Sequence, residues 1–220
     1  MCYTLLMTMP PVFMLLALAS SGFAADTRVL PATQVLAADV EPVTIALRYL
    51  AFKDPRQGKA VIDESAVARM VSRMNQVWAQ CQVSFRLDDY AALDPARYGA
   101  RFNPANFAEL DRLREATRDT RYLTMISTGK WDRSGDLGDS GSNCYSSFPS
   151  DSADGIVCEA RVAANPLLHA HEAGHWLNLK HTKGRDLMNH FVGATNDVLT
   201  HDQCVLARSA IGNWRRSAAL

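Results

Sequence analysis

The sequence lacks a net charge: lysine plus arginine and aspartate plus glutamate number 23 each in 220 residues. No overall field therefore draws in nucleic acid or an anionic membrane surface. It lacks internal repeats and, beyond its first 24 residues, any apolar run long enough to span a bilayer. No two cysteines stand in C-x2-C spacing, which argues against a zinc site built from four thiolates. Histidine is absent before His169, and glutamate is absent after Glu172. Those last two gaps confine the chemistry to one short stretch and limit which third metal ligand it can use.

What is present suits a single domain with a sizeable core, since 48% of the residues are hydrophobic. Residues 1–24 carry no charged side chain. They hold an apolar run, Val12 to Ala19, and then small residues up to Ala24. This reads as a secretory signal cut near Ala24 or Ala25, and it implies a secreted or periplasmic protein. The segment Met1 to Met9 has no lysine or arginine, and the other reading is an uncleaved anchor. Pro10-Pro11 and the shortness of the run speak against stable membrane insertion. Residues 25–41 read as a short arm or propeptide remnant, and residues 42–220 as the functional domain.

Cys2 would leave with the signal, so Cys81, Cys144, Cys158 and Cys204 remain. Export favours two disulfides over buried thiols, and four cysteines allow three connectivities. The pairing Cys144 with Cys158 and Cys81 with Cys204 is favoured, the first because it staples a long loop to the strand after it.

Residues 43–51 alternate and are β-branched at the start, as in a strand. Asp63 can cap a helix whose apolar positions Val67, Met70, Val71, Met74, Val77, Trp78 and Cys81 keep a 3.6-residue period. Strands are expected at residues 82–87, 121–127 and 155–162, with a helix opening at Asn103-Pro104. Residues 132–154 read as a long loop whose acidic residues either hold calcium or are simply solvated. Thr200-His201-Asp202-Gln203 has capping-box spacing ahead of a last helix. Strands and helices thus alternate, in an α/β or α+β domain. The strand at 155–162 is expected to form the cleft edge along which an extended substrate pairs.

Asn165-Pro166 is a helix start, with asparagine as cap and proline at the first helical position. That start sets His171 and His175 one turn apart on one helix face, where two imidazoles reach one ion. Glu172 sits beside the face, placed to address a water at the metal. H-E-x-x-H alone occurs by chance, and the third ligand decides. A glutamate ligand is excluded by absence, and neither Asp186 nor Asp197 has the Gly-Thr-x-Asp context of an aspartate-ligand site. His181, six residues after His175, fits. The nearby His169 lies well round the helix and is expected to be exposed or hydrogen-bonded, Trp176 to pack, and His201 to belong to its cap.

The stretch His171-Glu172-Ala173-Gly174-His175-Trp176-Leu177-Asn178-Leu179-Lys180-His181, followed by Asp186-Leu187-Met188-Asn189, resembles the metzincin zinc endopeptidases. Its wording is most like the pappalysin and cytophagalysin branch. The resemblance implies a mixed sheet, an active-site helix, a methionine turn and a C-terminal helix. It implies Zn2+ on His171, His175 and His181, a zinc-activated water with Glu172 as general base, Met188 as a floor below the metal, and a protein or peptide substrate. Asn178 stands where the family has glycine, and asparagine is the commonest other residue to accept a left-handed turn. His190 stands where several branches have a tyrosine. It either donates to the developing oxyanion, binds zinc when the substrate is absent, or is an ordinary loop residue. The rival class is a secreted toxin or binding domain that keeps zinc without hydrolysing peptides.

Overall fold

A computed structural model describes residues 40–148 and 153–218. The proposed signal (residues 1–24) lies outside them, as does nearly all of the proposed arm. Five strands make one sheet: β1 (Val43–Phe52), β2 (Val83–Leu93), β3 (Leu123–Thr128), β4 (Cys144–Ser147) and β5 (Gly155–Glu159). Their order is β2-β1-β3-β5-β4. The first four in that order run parallel, and β4 is antiparallel to β5 at the sheet's end. The helices are α1 (Glu64–Trp78), α2 (Phe107–Thr117), the single turn α3 (Asp136–Asp139), α4 (Pro166–Trp176) and α5 (His201–Ala218).

Parallel strands are covered on both faces, so β1 carries core residues on both. Ile45, Leu47, Tyr49 and Ala51 join one cluster with the apolar stripe of α1 and with α4 and α5. Leu50 and Phe52 join a second with Leu110 and Leu113 of α2 and the buried Trp131. All seven anticipated apolar positions are buried, but α1 ends at Trp78 and the seventh, Cys81, lies in the 3-10 turn that follows; Asp63 caps the helix by accepting from Ala66 N at 2.8 Å. The Trp78 indole N–H donates to the Ala170 carbonyl at 3.2 Å, which locks α1 onto the helix of the histidine motif.

Several expected boundaries move. The second strand runs on to Leu93, well past residue 87. The helix expected at Asn103-Pro104 begins at Phe107, because Asn106 supplies the cap by accepting from Glu109 N at 3.0 Å. Residues 132–154 are not a plain loop, since α3 and β4 both form within them. Asp132 there accepts from the nearby Ser134 N, and Asp136 from Phe107 N at the start of α2, both at 3.0 Å. The expected cleft edge is also corrected. β5 is paired on both sides, by β3 and β4, so the end strand on that side of the sheet is β4. Thr200 and Gln203 exchange the two capping-box bonds at the start of α5, at 2.8 and 3.2 Å.

Both disulfides pair as favoured: Cys144–Cys158 crosses from β4 to β5, and Cys81–Cys204 ties the end of the α1 region to α5. Among the described residues, no helix is long and apolar enough to cross a membrane.

Candidate metal and catalytic site

Helix α4 starts where Asn165 accepts from Leu168 N at 3.1 Å, with Pro166 at its first position. Its end is equally defined. Asn178 adopts φ 67°, Leu179 N donates to the Gly174 carbonyl at 2.9 Å, and Asn178 N donates to the His175 carbonyl at 2.8 Å. Those two bonds make a Schellman motif, the usual way a left-handed residue stops a helix. The chain then doubles back and carries His181 over the helix face that bears His171 and His175.

His171 Nε2 lies 3.3 Å from His181 Nε2, and His175 Nε2 lies 3.0 Å from it. The Nδ1 atoms of the two helix histidines are both committed elsewhere, 2.7 Å from the Leu187 carbonyl and 2.8 Å from the Leu179 carbonyl. A carbonyl only accepts, so each Nδ1 carries the proton and each Nε2 turns a lone pair toward the shared point. An Nε2–H on His181 could serve only one of these lone pairs, whereas a cation at the shared point satisfies both and that of a neutral His181 Nε2 as well. Tetrahedral zinc with Zn–N of about 2.0–2.1 Å sets its ligand nitrogens about 3.3 Å apart, so the donor set fits this ion in type and spacing.

The electrostatics agree. Burial pushes the His171 imidazole down to about 4, against the counter-pull of its bond to Leu187, and burial also lowers His175 and His181. All three are thereby held in the neutral, metal-binding form. Burial raises the Glu172 carboxyl to about 7, opposed by a hydrogen bond from Ser146. A dication beside it would pull that carboxyl back toward ionisation.

Below the histidines lies the buried side chain of Met188. A Cβ added at Gly174 would stand 2.4 Å from Met188 Sδ, so the missing side chain in the helix is what lets the methionine approach. The turn around Met188 is organised by Asp186. Its carboxylate accepts from Met188 N at 2.9 Å, from Thr182 Oγ1 at 2.8 Å and from Gln203 Nε2 at 3.2 Å. The Leu187 carbonyl, held in that turn, is the one that fixes the His171 ring. Sequence reasoning set Asp186 in the methionine turn and rejected it as a ligand but gave it no role there, and its place two residues before Met188 was the available signal. Ser146 on β4, which reaches the Glu172 carboxylate, was missed entirely because its strand was read as loop.

His190 is not one of the converging donors. It is exposed, its Nδ1 lies 3.4 Å from His181 Nδ1, and the rings are 4.7 Å apart. His169 is buried rather than exposed, with Nδ1 2.9 Å from the Asn165 carbonyl. Trp176 packs edge-on against Trp214 at 5.1 Å, and His201 stays at the exposed start of α5.

No protein-family profile matches the sequence, and no curated protein matches it. Solved structures do match in shape. Mature mirolysin of Tannerella forsythia, in complex with a cleaved peptide, aligns at TM-score 0.60 over 77% of this chain and 92% of that one, with 12% identity. The fold is that of the mirolysin-like metalloproteases. A second mirolysin structure, with a compound bound, gives TM-score 0.59, 12% identity and coverage of 77% and 91%. Metalloproteinase-II of Bacteroides fragilis aligns at 0.50 and 13% identity over 78% of this chain and 55% of that one.

Proposed function

We propose that the protein is a secreted zinc endopeptidase of the metzincin type, with His171, His175 and His181 as ligands and Glu172 as general base. The observation that carries this reading is the convergence of three Nε2 atoms, two of them fixed in tautomer by backbone carbonyls, beside a buried glutamate. The likeness in shape to mirolysin, solved with a cleaved peptide, supports a peptide as substrate.

When bound, zinc would lower the pKa of water to near 7 and polarise the scissile carbonyl. Glu172 takes the proton from the attacking water and returns it to the departing amine. Burial raises its carboxyl and the dication would lower it, and in the ionised form that results it can accept the proton. In this reading an extended peptide pairs its main chain along β4, an end strand of the sheet. Residues 1–24 would direct export, and the two disulfides accord with an oxidising compartment.

The test is metal analysis of the mature protein together with digestion of an unstructured protein, with and without a chelator. About one zinc per chain and chelator-sensitive cleavage are expected. A protein resupplied with zinc that retains none would defeat the reading.

A further inference from the structure

The hydroxyl of Ser146 donates to Glu172 Oε2 in a short hydrogen bond and lies 3.1 Å from the Glu172 main-chain carbonyl. Ser146 is half-buried on β4, opposite Ile156 of β5. Two residues earlier on the same strand, Cys144 is bonded to Cys158 and shares the core on the α4 side of the sheet. The strand that bears Ser146 is thus fixed to the sheet by hydrogen bonds and by a covalent link. Glu172 is itself buried on a rigid helix.

We propose that Ser146 is a positioning residue for Glu172: it holds one carboxylate oxygen and so aims the other at the water to be deprotonated. The proposal rests on Glu172 being the general base. A carboxylate rotates about its last side-chain bonds, and a general base must stand within hydrogen-bond reach of the proton it takes. A charge-assisted hydrogen bond from a fixed strand removes that freedom. Because the same strand is an end strand of the sheet, a peptide paired along β4 and the base are registered against one element. Substrate and proton acceptor then keep a constant separation.

Three variants test this. Ser146→Ala should lower kcat about tenfold, the size expected for losing one charge-assisted bond, with KM for a short peptide and zinc content unchanged. Ser146→Thr keeps the hydroxyl on a β-branched residue that strands accept, and should recover most of kcat. A readout without metal or turnover comes from thermal melting of the zinc-free protein for Ser146→Ala, Glu172→Ala and the pair together. The two effects should be non-additive if the contact is real. Unchanged kcat in Ser146→Ala, a threonine variant as slow as alanine, or additive melting shifts would each overturn the role. If the wild type itself cleaves nothing, the peptidase reading fails and takes this role with it. An active wild type with an indifferent Ser146→Ala fails only the role.

Discussion

At Asn178 the backbone sits at φ 67°, a region that most side chains enter at a cost and a β-branched one resists strongly. The turn it makes is what brings His181 over the helix. Asn178→Gly should therefore leave zinc affinity near wild type, while Asn178→Val should weaken it by an order of magnitude or more, because the third ligand is displaced. Titration with a competing chelator reads both. Equal affinities in the two variants would show that the helix end does not depend on this residue. His190 belongs to the same scale. It is exposed and set edge-on against His181, and we propose that its N–H serves the developing oxyanion. His190→Ala should lower kcat and kcat/KM together, by at least about tenfold, with zinc content unchanged. Unaltered kinetics would make it an ordinary loop residue.

At the scale of elements, the histidine helix and the methionine turn are one construction. Gly174 admits Met188, Asp186 shapes the turn, and the Leu187 carbonyl orients His171. Gly174→Ala overfills that contact and should cost about 1–3 kcal/mol of stability, read as a lower urea midpoint. A midpoint equal to wild type would mean the methionine moves aside freely. The helix itself was legible in the sequence, because its cap, its proline and its histidine spacing are all local signals. So was α1, whose six buried apolar residues all belong to the period in the sequence, although that period runs on to Cys81 beyond the helix end. β4 was not. Four residues among serines and glycines carry no period, and their pairing to β5 is decided by the register Cys144 to Cys158, a tertiary fact. The cleft edge was misplaced for the same reason: the 155–159 run is apolar because it is interior. Ser146 went unseen with its strand, whereas the role of Asp186 went unseen because a turn's hydrogen bonds are invisible without its backbone.

Over the whole molecule, two features set how stability responds to conditions. The Cys81–Cys204 link closes 123 residues and Cys144–Cys158 only 14. By chain entropy these are worth about 5 and about 3 kcal/mol. Replacing the first pair by serines should lower Tm more than replacing the second, and the reverse order would show that the short staple carries strain-free packing the long one lacks. The second feature is acid response. His169 and His171 are pushed by burial from 6.5 to about 4, so the unfolded chain takes up protons on these groups before the folded one does. Their stabilisation is present above pH 6.5 and is lost as pH falls toward 4. Glu172 acts in the opposite sense, since its raised carboxyl binds a proton more readily when folded, and its share is lost as pH rises toward 7. In zinc-free Glu172→Gln the opposing group is gone, and the urea midpoint should fall steadily between pH 6.5 and 4. A flat profile there would mean that these imidazoles are not held neutral.

The central claim is that a glutamate beside three converging histidines takes a proton from water during peptide hydrolysis. The most direct measurement is kcat for one peptide with zinc-loaded wild type and zinc-loaded Glu172→Gln, which preserves size and hydrogen bonding but cannot accept the proton. The account predicts equal zinc content and a fall in kcat on the order of 10² or more. Equal turnover by the two proteins, each with its zinc in place, would contradict it.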